Sequence, residues 1–264
     1  MLKVISLGAG VQSSTMFLMS CIGEIEKADV AIFADTGNEP EDVYKHLDFL
    51  SAFGSRYGIP VETVSKGNLL DDFMKFVDGD AKRASMIPLM TKNPDTGANG
   101  GLLGRHCTFD YKVMPIRRRT KEILKSRGMK EAEMWIGIST DESQRMKESQ
   151  VKFITHRWPL IDMRMSRAGC LAWYTDKDFP TPPRSACFFC PFHSQAEWKR
   201  IKHQQPLLID KAIEIDWKIR RFGKVRFENY LHKDRIPLDE ALNRDDLDDQ
   251  LDLFNMECEG MCGI

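Results

Sequence analysis

The chain has 264 residues, enough to bury a substantial core, and its formal net charge of −1 gives no overall field that would attract nucleic acid. Hydrophobic residues make up 42% and charged residues 29% of the sequence, as in an ordinary globular domain. No apolar run approaches the roughly 20 residues needed to cross a bilayer, and the short apolar start is not typical of a signal peptide. We therefore expect a cytoplasmic protein with no membrane partner.

The first half of the chain alternates between strand-like and helix-like stretches. Short apolar runs predict strands, and apolar residues at helical spacing predict the helices between them. The predicted strands cover residues 3–7, 30–34, 61–64 and 134–138, and the predicted helices cover 13–25, a stretch from Asn38 onward, and 114–127. This order predicts an α/β fold, with a parallel sheet and helices on both faces.

The second half departs from this pattern. Residues 93–104 are rich in glycine, which predicts a mobile loop. Residues 195–222 have helical spacing and are followed by an acidic stretch. We expect two domains, an α/β domain over residues 1–192 and a helical C-terminal region over 193–264 with a cysteine-bearing tail.

A glycine loop lies between the first predicted strand and the first predicted helix. Glycines let the backbone approach phosphates closely, and a helix N-terminus presents N–H groups and the positive end of a dipole. A tight turn without a ligand is the other interpretation. The candidate nucleotide-binding residues here are Ser6, Gly8, Ala9, Gly10, Val11, Gln12, Ser13 and Ser14.

Two common phosphate loops fit this segment poorly. The Walker loop requires a Gly-Lys pair that is absent here, and the dinucleotide fingerprint requires a third glycine where Ser13 stands. Asp35 follows the second predicted strand, which keeps the dinucleotide interpretation open on this segment alone.

The loop resembles that of the PP-loop ATP pyrophosphatase superfamily, usually written Ser-Gly-Gly-x-Asp-Ser. Gly8 and Gln12 replace the usual Ser and Asp, as in the phosphoadenosine-phosphosulfate (PAPS) reductase branch. Further motifs of that branch follow in order over about residues 1–192: Asp35-Thr36-Gly37, His106-Cys107 with Lys112 and Pro115, Gly137 to Ser143 with Arg145, and Trp158 to Asp162. The resemblance implies a Rossmann-like fold of the PP-loop type. It also implies nucleotide contacts at Asp35, Thr36, Gly37, Gly137 and Arg145.

Seven cysteines, an odd number, favour metal or thiol chemistry over a disulfide framework. Cys187 and Cys190 have the spacing at which two thiolates bind one metal centre, although two buried packing cysteines would have it too. Zinc and an iron–sulfur cluster both accept four thiolates. The resemblance implies a 4Fe-4S cluster, for which we expect the ligands Cys107, Cys187, Cys190 and Cys262.

The tail residue Cys258 completes a Glu-Cys pair like that of the reductases, and we expect it to be the reactive, catalytic thiol. Cys21 and Cys170 are expected to be packing residues.

The resemblance implies sulfur chemistry that depends on an adenine nucleotide, either ATP, with Mg²⁺ beside its phosphates, or a phosphosulfate. Ser139 replaces an arginine of the reductase branch and the tail lacks its histidine, so we favour ATP-dependent sulfur transfer, with a nucleic acid as a candidate acceptor. A sulfur or electron donor protein is a further expected partner. The alternatives are a phosphosulfate reductase and a non-enzymatic nucleotide-binding module with structural zinc. Two basic clusters, around Arg117 to Lys125 and around Arg220 to Arg226, indicate either a phosphate track or solvated helix faces.

Overall fold

The structure is a computed structural model that describes residues 1–223 and 226–244. The chain forms two compact units. The first unit comprises Met1–Lys66 and Thr108–Ser185, and the second comprises Gly67–Cys107 with the described residues from Ala186 onward. The predicted boundary at residue 192 stays a prediction.

Strands and helices of the described residues are numbered in chain order. The strands are β1 Leu2–Leu7, β2 Val30–Asp35, β3 Val61–Ser65, β4 Met90–Lys92, β5 Asn99–Leu102, β6 Ala132–Ile136, β7 Ile154–Arg157 and β8 Glu228–Tyr230. The α-helices are α1 Val11–Ile22, α2 Glu41–Tyr57, α3 Leu69–Val77, α4 Met114–Ser126, α5 Pro159–Asp162, α6 Arg167–Asp176, α7 Gln195–Gln204, α8 Pro206–Lys218 and α9 Leu238–Ala241. A π-helical turn, Thr108–Val113, precedes α4, and a 3-10 turn, Thr140–Arg145, follows β6.

The first unit contains a five-stranded parallel sheet in the order β3-β2-β1-β6-β7. Ile5 in β1 pairs with Ala31 in β2 on one side and with Trp135 in β6 on the other. The chain first builds the sheet outward from β1 to β3 and later resumes at β6 on the opposite side of β1. The topological switch point therefore lies between β1 and β6, where open α/β sheets bind ligands at the carboxyl ends of their strands.

Helices cover both faces of this sheet, which confirms the predicted α/β class. Successive strand residues point to opposite faces. On one face Ile5 and Phe33 pack in a core with α1, α2 and α6, and on the other Val4 and Met134 pack in a core with α4.

Residues 93–104 were predicted to form a mobile loop without regular structure, and this prediction was wrong because part of the segment forms a β-hairpin. β4 pairs antiparallel with β5 and with β8 in a three-stranded sheet of the second unit. A Cβ atom on Gly100 would lie 2.3 Å from Thr91 Oγ1, so glycine is what allows the two strands to approach so closely. The Asn93 side chain orders the turn by accepting a hydrogen bond from the Asp95 N–H at 2.9 Å.

The predicted helical region beginning at residue 195 is confirmed, but it is divided into α7 and α8. Pro206 begins α8, and the residue before a proline is disfavoured in helical conformation, so α7 ends at Gln204. Buried Asp216 accepts hydrogen bonds from the N–H groups of Leu231 at 2.7 Å and Leu238 at 3.1 Å. In the described part of the chain no helix is both long and apolar enough to cross a membrane.

Candidate nucleotide-binding site

The glycine loop connects the carboxyl end of β1 to the start of α1. Ala9 has a φ of +59°, a left-handed conformation that turns the chain sharply, and Gly10 is the N-cap of α1. No side chain caps this helix start, and its first intrahelical bond runs from the Ser14 N–H to the Gly10 carbonyl at 3.0 Å. The N–H groups of the first turn, from Val11 to Ser13, therefore take no part in intrahelical bonding and suit an anion.

The Ser13 hydroxyl holds the loop in shape. It accepts a hydrogen bond from the Gly8 N–H at 3.1 Å and lies 3.4 Å from the Gly10 carbonyl oxygen, to which it donates. The Ser185 hydroxyl, at the end of the chain segment that completes the first unit, donates a hydrogen bond to the Gly8 carbonyl. Ser6, one residue before the end of β1, pairs with β2 and β6 in the sheet. The loop is buried, so hydrogen bonds to a bound anion would form away from bulk water, where they are stronger.

Gly137 brings the end of β6 against this loop. A Cβ atom at position 137 would lie 2.7 Å from the Ser13 backbone nitrogen and 2.8 Å from the Ser13 Cα. Any side chain there would displace the start of α1. Gly137 and the glycine loop therefore meet at the switch point between β1 and β6.

Gln12 joins the loop to two other segments of the first unit. Its Nε2 donates to Glu142 Oε2 at 3.1 Å and lies 3.4 Å from the Ser139 hydroxyl. Its Oε1 accepts from Arg167 Nη1 at 3.1 Å. Glu142 in turn forms an ion pair with Arg145, so two guanidinium groups belong to the network around the loop.

Arg167 was missed in the sequence because it lies 155 residues from Gln12, outside any local motif. The 3-10 turn Thr140–Arg145 contacts the backbone of Arg167 through Asp141. Burial alone would raise the pKa of Asp141, but hydrogen bonds from the Ser139 hydroxyl and the Arg167 N–H lower the pKa overall. An ionised Asp141 thus holds the backbone of Arg167 in place.

The segment after β2 forms a tight turn at the neighbouring strand end. Asp35 Oδ1 accepts hydrogen bonds from the Gly37 N–H at 2.7 Å and the Tyr44 hydroxyl at 2.8 Å. Ser65 at the end of β3 donates to the Asp35 carbonyl at 3.0 Å. Asp35, Thr36 and Gly37 therefore lie at the same sheet edge as the glycine loop, where the parallel strands have their carboxyl ends.

A second residue missed in the sequence, His46 on α2, contacts the first turns of α1. Its Nε2 lies 3.1 Å from the Ser14 hydroxyl. Burial lowers the pKa of His46 to about 4, so the imidazole is neutral at pH 7. His46 lies three residues after Val43 and four before Leu50, so it shares their apolar helix face, and this spacing does not indicate a polar partner.

The cysteine pair lies in the second unit. Cys187 and Cys190 are half-buried, and a turn in which the Cys190 N–H donates to the Cys187 carbonyl at 2.9 Å brings them together. His193 Nε2 also lies 2.9 Å from that carbonyl. This pair suits two positions of a zinc or iron–sulfur site.

One of the four predicted ligands, Cys262, lies outside the described residues. Within residues 1–223 and 226–244, no three His, Cys, Asp or Glu side chains form a group that could hold a metal ion. Cys258 and Cys262 lie outside the described residues. The four-cysteine site and the reactive thiol stay predictions. Cys21 and Cys170 lie in the hydrophobic core, and burial raises the pKa of the Cys21 thiol to about 12.

No protein-family model matches this chain, and no curated protein matches it. Among solved structures, the chain is similar to the PAPS reductase from Candida auris in its phosphate complex. The two are 19% identical with a TM-score of 0.41, and the match covers 69% of this chain and 74% of that chain.

Proposed function

We propose that this protein binds an adenine nucleotide at the start of α1 and uses it to drive sulfur transfer. One observation carries the proposal: an uncapped helix N-terminus, preceded by Gly8-Ala9-Gly10, lies at the switch point of a parallel sheet. The phosphates would accept hydrogen bonds from the first-turn N–H groups of α1, and the helix dipole would stabilise their charge.

Arg167 supplies positive charge to this site. The reductase branch has an arginine where this chain has Ser139, which is fully buried and in contact with Gln12. In our proposal Arg167, which donates a hydrogen bond to the Gln12 carboxamide, stabilises the phosphates of bound ATP. Asp35, Thr36 and Gly37 would line the adenosine pocket, as the resemblance implies.

The replacement at position 139 favours ATP over a phosphosulfate as the substrate. In an ATP-dependent sulfur transfer, an acceptor atom attacks the α-phosphate and pyrophosphate leaves; a sulfur nucleophile then displaces AMP. The site's contribution is to bind and orient the triphosphate and to shield it from water. Reduction of a phosphosulfate to sulfite is the alternative, and it would release no pyrophosphate.

The cysteine pair fits only part of the cluster that the resemblance implies. Cys187 and Cys190 offer two thiolates, and no third ligand joins them within the described ranges. A bound cluster would supply electron transfer or hold sulfur.

Titration calorimetry of anaerobically prepared protein with ATP tests the nucleotide site. Arg167→Ala should weaken ATP binding about 10- to 100-fold, because a hydrogen bond to a charged group contributes about 1.5–3 kcal/mol. Gly137→Ala should weaken it about tenfold or more by displacing the start of α1. Gly101→Ala is the matched control, because open space surrounds that glycine.

Product analysis separates the reactions. Pyrophosphate and AMP released from ATP in the presence of acceptor and sulfur donor support sulfur transfer, and sulfite released from phosphosulfate would favour the reductase alternative. If the wild-type protein binds neither nucleotide, the proposal is overturned.

A further inference from the structure

The basic residues of α4 have very different surroundings. Arg117 is buried, with its guanidinium 5.9 Å from the centre of the Phe109 ring. Arg119 binds Glu62 at 2.7 Å and Glu122 at 3.1 Å. The remaining cations are exposed, and none of them forms an ion pair with an acidic side chain in the described ranges; they are Arg118, Lys121, Lys125 and, just past the helix, Lys130.

These exposed cations form a row. Positions 118, 121 and 125 are three and four residues apart, so they share one helix face with about 5–6 Å between neighbouring Cβ atoms. The chain as a whole carries a net charge of −1, so the positive potential is local to this face. In the described part of the other basic cluster, Arg220 pairs with Asp216 and Arg221 pairs with Glu228.

Two cavities flank the row. The first, about 450 Å³, opens at the carboxyl end of β3 and is lined by Lys66 and Met114 among others. The second, about 460 Å³, has apolar walls that include Met129 and Phe153 and a rim that includes Lys125 and Lys130. Arg118 lines both cavities, so they adjoin one another along α4. Each is within the size range of small-ligand pockets.

We propose that single-stranded nucleic acid binds along this surface, which we call the α4 groove and define by Lys66, Arg118, Lys121, Lys125 and Lys130. The row of cations would contact successive phosphates, and the flanking cavities would take unpaired bases. Bases of a duplex are paired and stacked, so they could not enter the concave, apolar-walled cavity beside Met129. A nucleic acid held here would be the acceptor in the proposed sulfur transfer, and the inference rests on that function for its role in the reaction.

Fluorescence anisotropy with a labelled single-stranded oligonucleotide, without ATP, tests the α4 groove. Four phosphate contacts at about 0.7 each give a salt slope of about −3, or about a 50-fold loss of affinity between 50 and 200 mM salt. Replacing Arg118, Lys121, Lys125 and Lys130 by Gln should weaken binding at least about tenfold and flatten this slope. Met129→Ala should weaken binding severalfold with the salt slope unchanged.

A control of equal charge removes four exposed cations elsewhere in the first unit, as Lys27→Gln, Lys45→Gln, Arg56→Gln and Lys177→Gln; of these, Lys45 and Lys177 form ion pairs with Glu41 and Glu24. Equal loss in the two quadruple variants would show a non-specific charge effect and overturn the proposal. So would equal competition by a duplex of the same sequence or by poly-glutamate, because neither offers unpaired bases. Calorimetry with ATP on the same preparations reports the nucleotide site separately, so failure of one proposal is distinguishable from failure of the other.

Discussion

Two hydroxyl groups near the start of α1 have different partners. Ser13 bonds within the glycine loop, whereas Ser14 contacts the imidazole of His46 at 3.1 Å. Burial lowers the pKa of His46 to about 4, and a neutral ring can bond to a hydroxyl without placing a charge in the core. His46 is thus a positioning residue for the helix that carries the candidate phosphate site.

This arrangement predicts a pH dependence of stability. In the unfolded chain His46 should titrate near its usual pKa of about 6.5, so the unfolded state takes up a proton first as the pH falls. Stability is therefore full above about pH 6.5 and is lost toward pH 4, with His46 accounting for about 2 kcal/mol between pH 7 and pH 5.

Urea titrations of wild type and His46→Gln at pH 7 and pH 5 measure this contribution. The variant should lose about 2 kcal/mol less than wild type over this interval. Burial also lowers the pKa of His156, so His156→Gln is the parallel variant and should likewise reduce the pH dependence. An identical pH dependence in wild type and His46→Gln would contradict the assigned pKa.

At the scale of elements, a buried ion pair joins the turn before α2 to the π-helical turn before α4. Lys112 Nζ lies 3.3 Å from Glu39 Oε1, and the two side chains are 9% and 0% exposed. Removing one partner of a buried pair leaves the other charge without compensation in a medium of low dielectric constant, which is more costly than losing both.

Lys112→Met should therefore lower the free energy of unfolding by about 3–5 kcal/mol, and adding Glu39→Gln should restore part of the loss. Lys45→Met, which breaks an exposed pair with Glu41, should leave the free energy of unfolding nearly unchanged. Chemical denaturation of the four proteins measures these differences. A double variant less stable than Lys112→Met would show that the lost charge pairing is not the main cost.

The elements that could be predicted from the sequence are those specified by local patterns. Apolar runs and helical spacing predicted four of the five parallel strands, β1, β2, β3 and β6, and also α4, because the periodic burial of apolar side chains specifies these elements. The edge strand β7 was not predicted. The β4–β5 hairpin was missed because its glycines serve a cross-strand contact, at Gly100 against Thr91, that no local pattern shows. For the same reason motifs located the glycine loop, Asp35 and Gly137, while the contact of Arg167 with Gln12 emerged only from the folded chain.

At the scale of the whole molecule, the two candidate chemistries belong to different compact units. The glycine loop is part of the first unit, and Cys187 and Cys190 are part of the second. Each unit has its own sheet. We therefore expect substitutions at Cys187 and Cys190 to leave the start of α1, which would hold the phosphates, undisturbed. Metal binding and nucleotide binding should therefore be separable by mutation.

We expect anaerobically purified protein to contain a metal centre held through Cys187 and Cys190. Cys187→Ala and Cys190→Ala should each lose more than about half of the bound metal, because each variant removes one of the two thiolates that the pair offers to the same centre. ATP affinity should stay within about threefold of wild type in both variants, because the glycine loop belongs to the other unit. A threefold change corresponds to less than about 1 kcal/mol of binding free energy. Cys170→Ala, in the hydrophobic core of the first unit, is the control that should keep its metal.

Metal and sulfide analysis of these proteins also decides between the enzyme and the non-enzymatic module. Iron with matching acid-labile sulfide indicates a cluster and favours sulfur chemistry, whereas zinc without sulfide favours a structural site. Unchanged metal content in both Cys187→Ala and Cys190→Ala would exclude the pair as ligands. Because the nucleotide loop lies in the other unit, that result would leave the proposed ATP site standing while removing the metal centre from the proposed function.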